Sequence, residues 1–178
     1  MDETEKRLKA LEKKVNSVYA EAARDMAPTI KEFFASFARN DEAMKKKLAD
    51  GKITEVDYIS WRKNTMARGQ RFRDMQTKLA ERATKANETA MAYINDATPG
   101  IYALNRKNAQ NAITAATGAS FTQFDEQTVK RLIDEAPETM PYYPPQRAVR
   151  RGIDLKYGKE QITKNVTAGI MQGKSIGK

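Results

Sequence analysis

The stretch TEVDYISWRKNTMARGQRFRDMQTKLAERATKANETAMAYIND, Thr54–Asp96, decides the fold. Its only glycine is Gly69 and it holds no proline, so its spacing predicts one helical strut, about 65 Å long at roughly 1.5 Å rise per residue. Asp50-Gly51 supplies a turn before it. Thr54, followed by Glu55, Val56 and Asp57, reads as an N-cap with carboxylates over the positive end of the helix dipole. Asn95-Asp96 and Thr98-Pro99-Gly100 are expected to stop it, because proline lacks a backbone donor and disfavours helical geometry in the residue before it. The strut's first half offers Val56, Ile59, Met66, Phe72, Met75 and Leu79 for burial. Its second half offers mainly Ala80, Ala83, Ala86, Ala90 and Ala92, which allow close approach but bury little area. Arg62, Lys63, Arg68, Arg71 and Arg73 form a basic face, read as a solvated stripe.

Upstream, Leu8, Leu11, Val15, Val18 and Ala22 recur at 3, 4, 3 and 4 residues, a coiled-coil seam too short for a free dimer and suited to an antiparallel partner in the same chain. Met26-Ala27-Pro28 is expected to interrupt or kink that helix. From Thr29 to Ala49, Ile30, Phe33, Phe34, Phe37, Met44 and Leu48 recur at helical spacing, and the three phenylalanines make this the expected core of the bundle.

Downstream of Gly100, Ile101–Thr117 reads as a separate helix closed by Gly118. Asp125 is expected to cap a helix that buries Val129, Leu132 and Ile133 and ends at Ala136-Pro137. Met140-Pro141-Tyr142-Tyr143-Pro144-Pro145 reads as a polyproline-like connector. Beyond it, Lys159–Gln172 is expected to be a helix with Ile162, Val166 and Ile170 on one face.

Composition narrows the chemistry. The chain of 178 residues has no histidine and no cysteine, which removes the usual zinc ligands, general base and thiol nucleophile and any disulfide framework. No apolar run approaches the roughly 20 residues of a membrane span, and residues 1–14 are too charged for a signal peptide. The net charge of +9 is uneven: the last 38 residues carry eight basic side chains against two acidic ones, hence +6 of it. A polyanion is therefore a plausible neighbour of that end.

Gly169-Ile170-Met171-Gln172-Gly173-Lys174-Ser175 resembles a phosphate loop but has three residues between its glycines instead of four, and a helix before it instead of a strand. Gly173 reads as a helix C-cap and Ser175 as the N-cap of a following helix. The carboxylate pairs Asp125/Glu126 and Asp134/Glu135 are adjacent in sequence and so diverge on a helix, which is wrong for a shared acid–base or metal site. The expectation is a non-enzymatic protein with no catalytic residue, no cofactor and no metal.

Three runs carry a family resemblance: Tyr93-Ile94-Asn95-Asp96 through Pro99-Gly100-Ile101-Tyr102-Ala103-Leu104-Asn105-Arg106; Phe121-Thr122 with Asp125-Glu126-Gln127-Thr128-Val129-Lys130-Arg131-Leu132; and Val166-Thr167-Ala168-Gly169 through Gly173-Lys174-Ser175-Ile176. In order and spacing they resemble the minor head proteins of tailed bacteriophages, the head-morphogenesis family that includes the minor head protein of phage Mu. The resemblance covers about half the chain, from Tyr93 onward. It implies a capsid component present in few copies that enters the assembling head with the portal and associates with DNA in some phages. The family continues past the position of Lys178, some members into toxin-like or ADP-ribosyltransferase domains; that activity is not carried over.

The expected fold is all-α and elongated, with long antiparallel helices, a Pro-rich connector and a basic C-terminal region. Its expected domains are a helical hairpin or bundle over 1–98, a helical segment over 99–140, and the connector with the basic region over 141–178. The expected function is head morphogenesis, in the virion head interior or portal region and in the host cytoplasm during assembly. Expected partners are the portal, other head proteins, further copies of the chain, and double-stranded DNA held through Arg147, Arg150, Arg151, Lys156, Lys159 and Lys164 by phosphate contacts without sequence preference. The alternative is a phage-derived helical interaction module, or a toxin-related protein, that docks on a host protein.

Overall fold

The computed structural model describes residues 2–140 and 142–171, without the side chains of Ala67 and Met171. It is all-α: 84% of it is helical, and the described residues contain no strand. In chain order the elements are α1 (Glu3–Ala49), α2 (Glu55–Arg68), α3 (Gln70–Thr117), α4 (Glu126–Glu135), a 3-10 turn (Pro137–Thr139) and α5 (Arg151–Met171). They build two compact units, each from two stretches of chain: residues 1–18 with 87–148, and residues 19–86 with 149–178.

Several local signals act as expected. Thr54 caps α2 through a full capping box: the Asp57 amide donates to the Thr54 hydroxyl, and the Thr54 amide donates to the Asp57 carboxylate at 2.9 Å. Asp125 caps α4 by accepting from the Thr128 amide at 2.7 Å. Gly118, at φ 70°, closes α3 with its amide donating to the Thr114 carbonyl.

Two expectations about where helices run and end are overturned, and the interruption expected at Pro28 is absent. The strut from Thr54 is not continuous: it breaks at Gly69, whose φ of −64° and ψ of 131° are extended. A Cβ there would run into the Thr65 carbonyl oxygen, so this break needs glycine. The expected stop at Asp96–Gly100 is absent, and α3 runs through Pro99 to Thr117. Gly100 is buried because Arg7 and Glu126 close over it, so the residue makes room for a side-chain pair instead of ending a helix. Likewise α1 carries Pro28 inside it without interruption. A proline in a helix interior costs about 3 kcal/mol or more, an amount that burial of two or three large apolar side chains offsets.

In the first unit the apolar core is Ala103 of α3, Val129 and Ile133 of α4, and Met140, with Tyr102, Leu132 and Tyr143 against it. Tyr102 meets Tyr143 edge-on, ring centroids 5.2 Å apart. The start of α1 is tied to α3 and α4 by Asn108 donating to the Thr4 hydroxyl at 3.1 Å and by an Arg7–Glu126 ion pair at 3.0 Å. The seam expected on α1 starts later than the spacing suggests, since Leu8 is 47% exposed.

In the second unit Phe33 and Phe37 of α1, Met66 of α2, and Phe72, Met75 and Leu79 of α3 form the core. Ile162, Val166 and Ile170 of α5 pack against it, as their spacing predicts. Phe37 stacks on Trp61 with planes 11° from parallel. Val56 and Ile59, expected to be buried, are 72% and 43% exposed.

Candidate nucleic-acid interface

The basic residues singled out from the sequence cluster on and just before α5, and what seats α5 decides what they can present. Ile162, Val166 and Ile170 turn one side of the helix into the second unit's core. Gln76 of α3 donates to the Lys159 carbonyl at 2.9 Å and to the Thr163 hydroxyl at 2.6 Å, which holds that side down. Gly158 lies against Ala80 so closely that a Cβ would sit 3.4 Å from the Ala80 Cβ. The inner side of α5 is thereby committed to packing.

At about 100° per residue, Lys159 falls between Val166 and Ile170 in azimuth, and it is half-buried. Lys164 falls nearly opposite the apolar side and is exposed, as is Lys156. Arg150 is exposed, and its carbonyl accepts from the Asp154 amide at 2.9 Å as α5 begins. Arg151 is exposed at the first position of the helix. Arg147 belongs to the first unit, where the Asn95 side chain clasps its backbone: Nδ2 donates to the Arg147 carbonyl at 2.7 Å and the Arg147 amide donates to Oδ1 at 3.2 Å. The six residues therefore do not make one stripe. Arg150 and Lys164 share the outward arc of α5, Lys156 lies exposed on its flank, and Lys159 sits toward the packed side. Such an arc can attract phosphates as point charges, but it fixes no donor geometry for reading a base edge.

Sequence reasoning missed the apolar residues on the same outward arc. Ile153 and Tyr157 are 62% and 61% exposed, one helical turn apart. Their i, i+4 spacing out of phase with Ile162, Val166 and Ile170 is the signal that was available.

Elsewhere, some charged side chains answer one another. In the first unit an open cleft of about 220 Å³ is lined by Arg7, Lys14, Tyr93, Asp96, Glu126 and Lys130, but Arg7 pairs with Glu126 and Lys14 lies 5.8 Å over the Tyr93 ring. In the second unit a cleft of about 370 Å³ runs between Glu32, Ser36 and Arg39 of α1 and Arg71, Asp74 and Lys78 of α3, with Arg71 donating to the Ser36 hydroxyl. Titration is perturbed at structural positions. Hydrogen bonds from the Thr54 and Thr128 amides hold the Asp57 and Asp125 carboxyls below the usual value. Burial pushes the Tyr58 and Tyr143 phenols up. Bonds to Glu42 and then Asp41 push the Lys45 ammonium up. Among the described residues no group of three or more Asp or Glu could hold a metal ion, and no helix is long and apolar enough to cross a membrane.

No protein-family model, curated protein or solved structure matches the chain.

Proposed function

We propose that the protein is a minor head component of a tailed bacteriophage, acting without catalysis in head morphogenesis through contacts with the portal and other head proteins. The observation that carries this reading is the ordered resemblance of Tyr93–Arg106, Phe121–Leu132 and Val166–Ile176 to that family. An all-α chain with apolar side chains turned to solvent, Val56, Ile153 and Tyr157 among them, is compatible with a protein that works by docking. The finer architecture proposed is long antiparallel helices, a Pro-rich connector and a basic C-terminal region. Its support is the order of contacts within each unit. In the first, Thr4 meets Asn108 while Lys14 meets Tyr93; in the second, Asp41 meets Tyr58 while Asp25 meets Arg82.

DNA contact is the second half of the proposal, with Arg150, Lys156 and Lys164 supplying the phosphate contacts and Arg147, Arg151 and Lys159 contributing less. Binding of duplex DNA should fall steeply with added salt and show no sequence preference. Binding that ignores salt, or none at low salt, removes that half and leaves the first intact. The first half is tested by affinity capture of the tagged chain from infected cells, with portal and capsid subunits as the expected partners. Recovery of a host protein in their place would favour a host-directed interaction module.

A further inference from the structure

The break at Gly69 sets α2 and α3 in different registers against α1. On the α2 side, moving from the Tyr58–Asp41 hydrogen bond to the Trp61–Phe37 stack advances α2 by three residues while α1 goes back by four. On the α3 side, moving from the Phe72–Phe33 contact to the Arg82–Asp25 ion pair advances α3 by ten while α1 goes back by eight. Both are ordinary antiparallel steps. Across the break, from Trp61–Phe37 to Phe72–Phe33, the second segment advances eleven residues for only four on α1. The lag is seven residues, two helical turns, or about 10 Å at roughly 1.5 Å per residue.

Seven residues beyond Phe37 and Asp41 on α1 stand Met44 and Leu48, which are half-buried and lie outside the apolar cluster. Gly69 already has a helical φ of −64°, so turning ψ from 131° to about −42° restores the helix there. Trp61 and Tyr58 lie on the helical stripe that Phe72 and Met75 continue, so a joined helix keeps them facing α1. With the lag removed, Trp61 falls opposite Met44 and Tyr58 opposite Leu48. We propose that Gly69 is a two-register hinge: α2 either lies back on Phe37 and Asp41, as in this structure, or joins α3 in one helix and slides two turns along α1 onto Met44 and Leu48. Docked α5 favours the broken register, because it contacts α2 while Gln76 of α3 holds Lys159 and Thr163.

The chain lacks cysteine, so spin labels at Val56→Cys and Lys78→Cys, both exposed, are unique sites for distance measurement by electron–electron resonance in the full chain. In the joined helix they are about 33 Å apart at roughly 1.5 Å per residue, and in the broken register about 10 Å closer. The hinge predicts a main shorter component with a minor longer one. The longer one should grow in Gln76→Ala and dominate in Gly69→Ala, where the broken register has no room for the methyl group. A folded Gly69→Ala chain that keeps the shorter distance overturns the proposal. If Gly69→Ala does not fold, the other two chains decide it: a longer component in Gln76→Ala larger than in the Gly69 chain supports the hinge, and its absence or constancy overturns it.

Discussion

The Tyr58 hydroxyl donates a 2.8 Å hydrogen bond to Oδ1 of Asp41, a residue only 7% exposed that also pairs with Lys45 at 3.1 Å and Arg62 at 3.5 Å. The Arg62 guanidinium in turn lies 5.7 Å from the Tyr58 ring centre and 5.8 Å from that of Phe37. Burial first, and the bond to Asp41 second, raise the Tyr58 phenol above its ordinary value of 10.0. A raised folded value means that the unfolded chain loses this proton first. The stabilisation is therefore whole below about pH 10 and is lost as pH rises through the folded value. Urea midpoints measured upward from neutral pH should fall more steeply above that point in the parent chain than in Tyr58→Phe. Asp41→Ala leaves the phenol without its acceptor and should cost about 1–3 kcal/mol at neutral pH; equal alkaline slopes in the parent and Tyr58→Phe chains would count against this account.

The acid limb has a different origin. Backbone amides of Thr54 and Thr128 hold Asp57 and Asp125 below the ordinary 3.8, so their contribution is present above that value and is lost as pH falls through the lower folded values. Asp57→Asn with Asp125→Asn should flatten the decline in thermal midpoint below about pH 4. Both caps sit at solvent-exposed helix starts, so added salt should leave the effect largely in place, since it stems from short hydrogen bonds and not from distant charge.

How much of this was legible in the sequence depends on where each residue's reason lies. Thr54, Asp57, Asp125 and Gly118 act within three or four residues of themselves, and their roles follow from local chemistry. So do Ile162, Val166 and Ile170, whose period names their face. Gly100 and Pro99 were misleading because the same residue that breaks a helix also admits a close neighbour, and the neighbours of Gly100 are Arg7 and Glu126, distant in sequence. Gly69 is the converse case: one glycine among strong helix formers costs only about 1 kcal/mol, so it does not foretell a break. The six basic residues are near one another along the chain. Helical phase divides them, and the half-buried position of Lys159 follows from the apolar neighbours it shares a side with.

Thr84 is 1% exposed and its hydroxyl finds no hydrogen-bond partner, the one such side chain among the described residues. An unpaired buried hydroxyl costs about 1–3 kcal/mol. Valine has the same branched shape at Cβ, so Thr84→Val removes the polar penalty without opening a cavity. The variant should be more stable by about 1 kcal/mol in urea titrations, while Thr84→Ala should gain less because it loses packing. A destabilised Thr84→Val chain would mean that the hydroxyl is satisfied by water in solution.

Gly100 allows two opposed effects to be weighed. Alanine is better than glycine inside a helix by about 1 kcal/mol, and Gly100 lies well within α3. Its Cβ would meet Glu126 Oε1 at 2.7 Å and Arg7 Nη1 at 3.0 Å, both at the far ends of flexible side chains. Displacing that pair forfeits little, because the Arg7 and Glu126 side chains are 37% and 40% exposed and such pairs contribute about 0–1 kcal/mol. Gly100→Ala alone should therefore change stability by no more than about 0.5 kcal/mol. In an Arg7→Ala background, where the pair is already gone, the same change should stabilise by about 1 kcal/mol. The comparison of the two urea titrations separates a glycine kept for its neighbours from one kept for its backbone: a large loss in both backgrounds would mean that α3 needs glycine conformation at this position, which its helical run through Pro99 argues against.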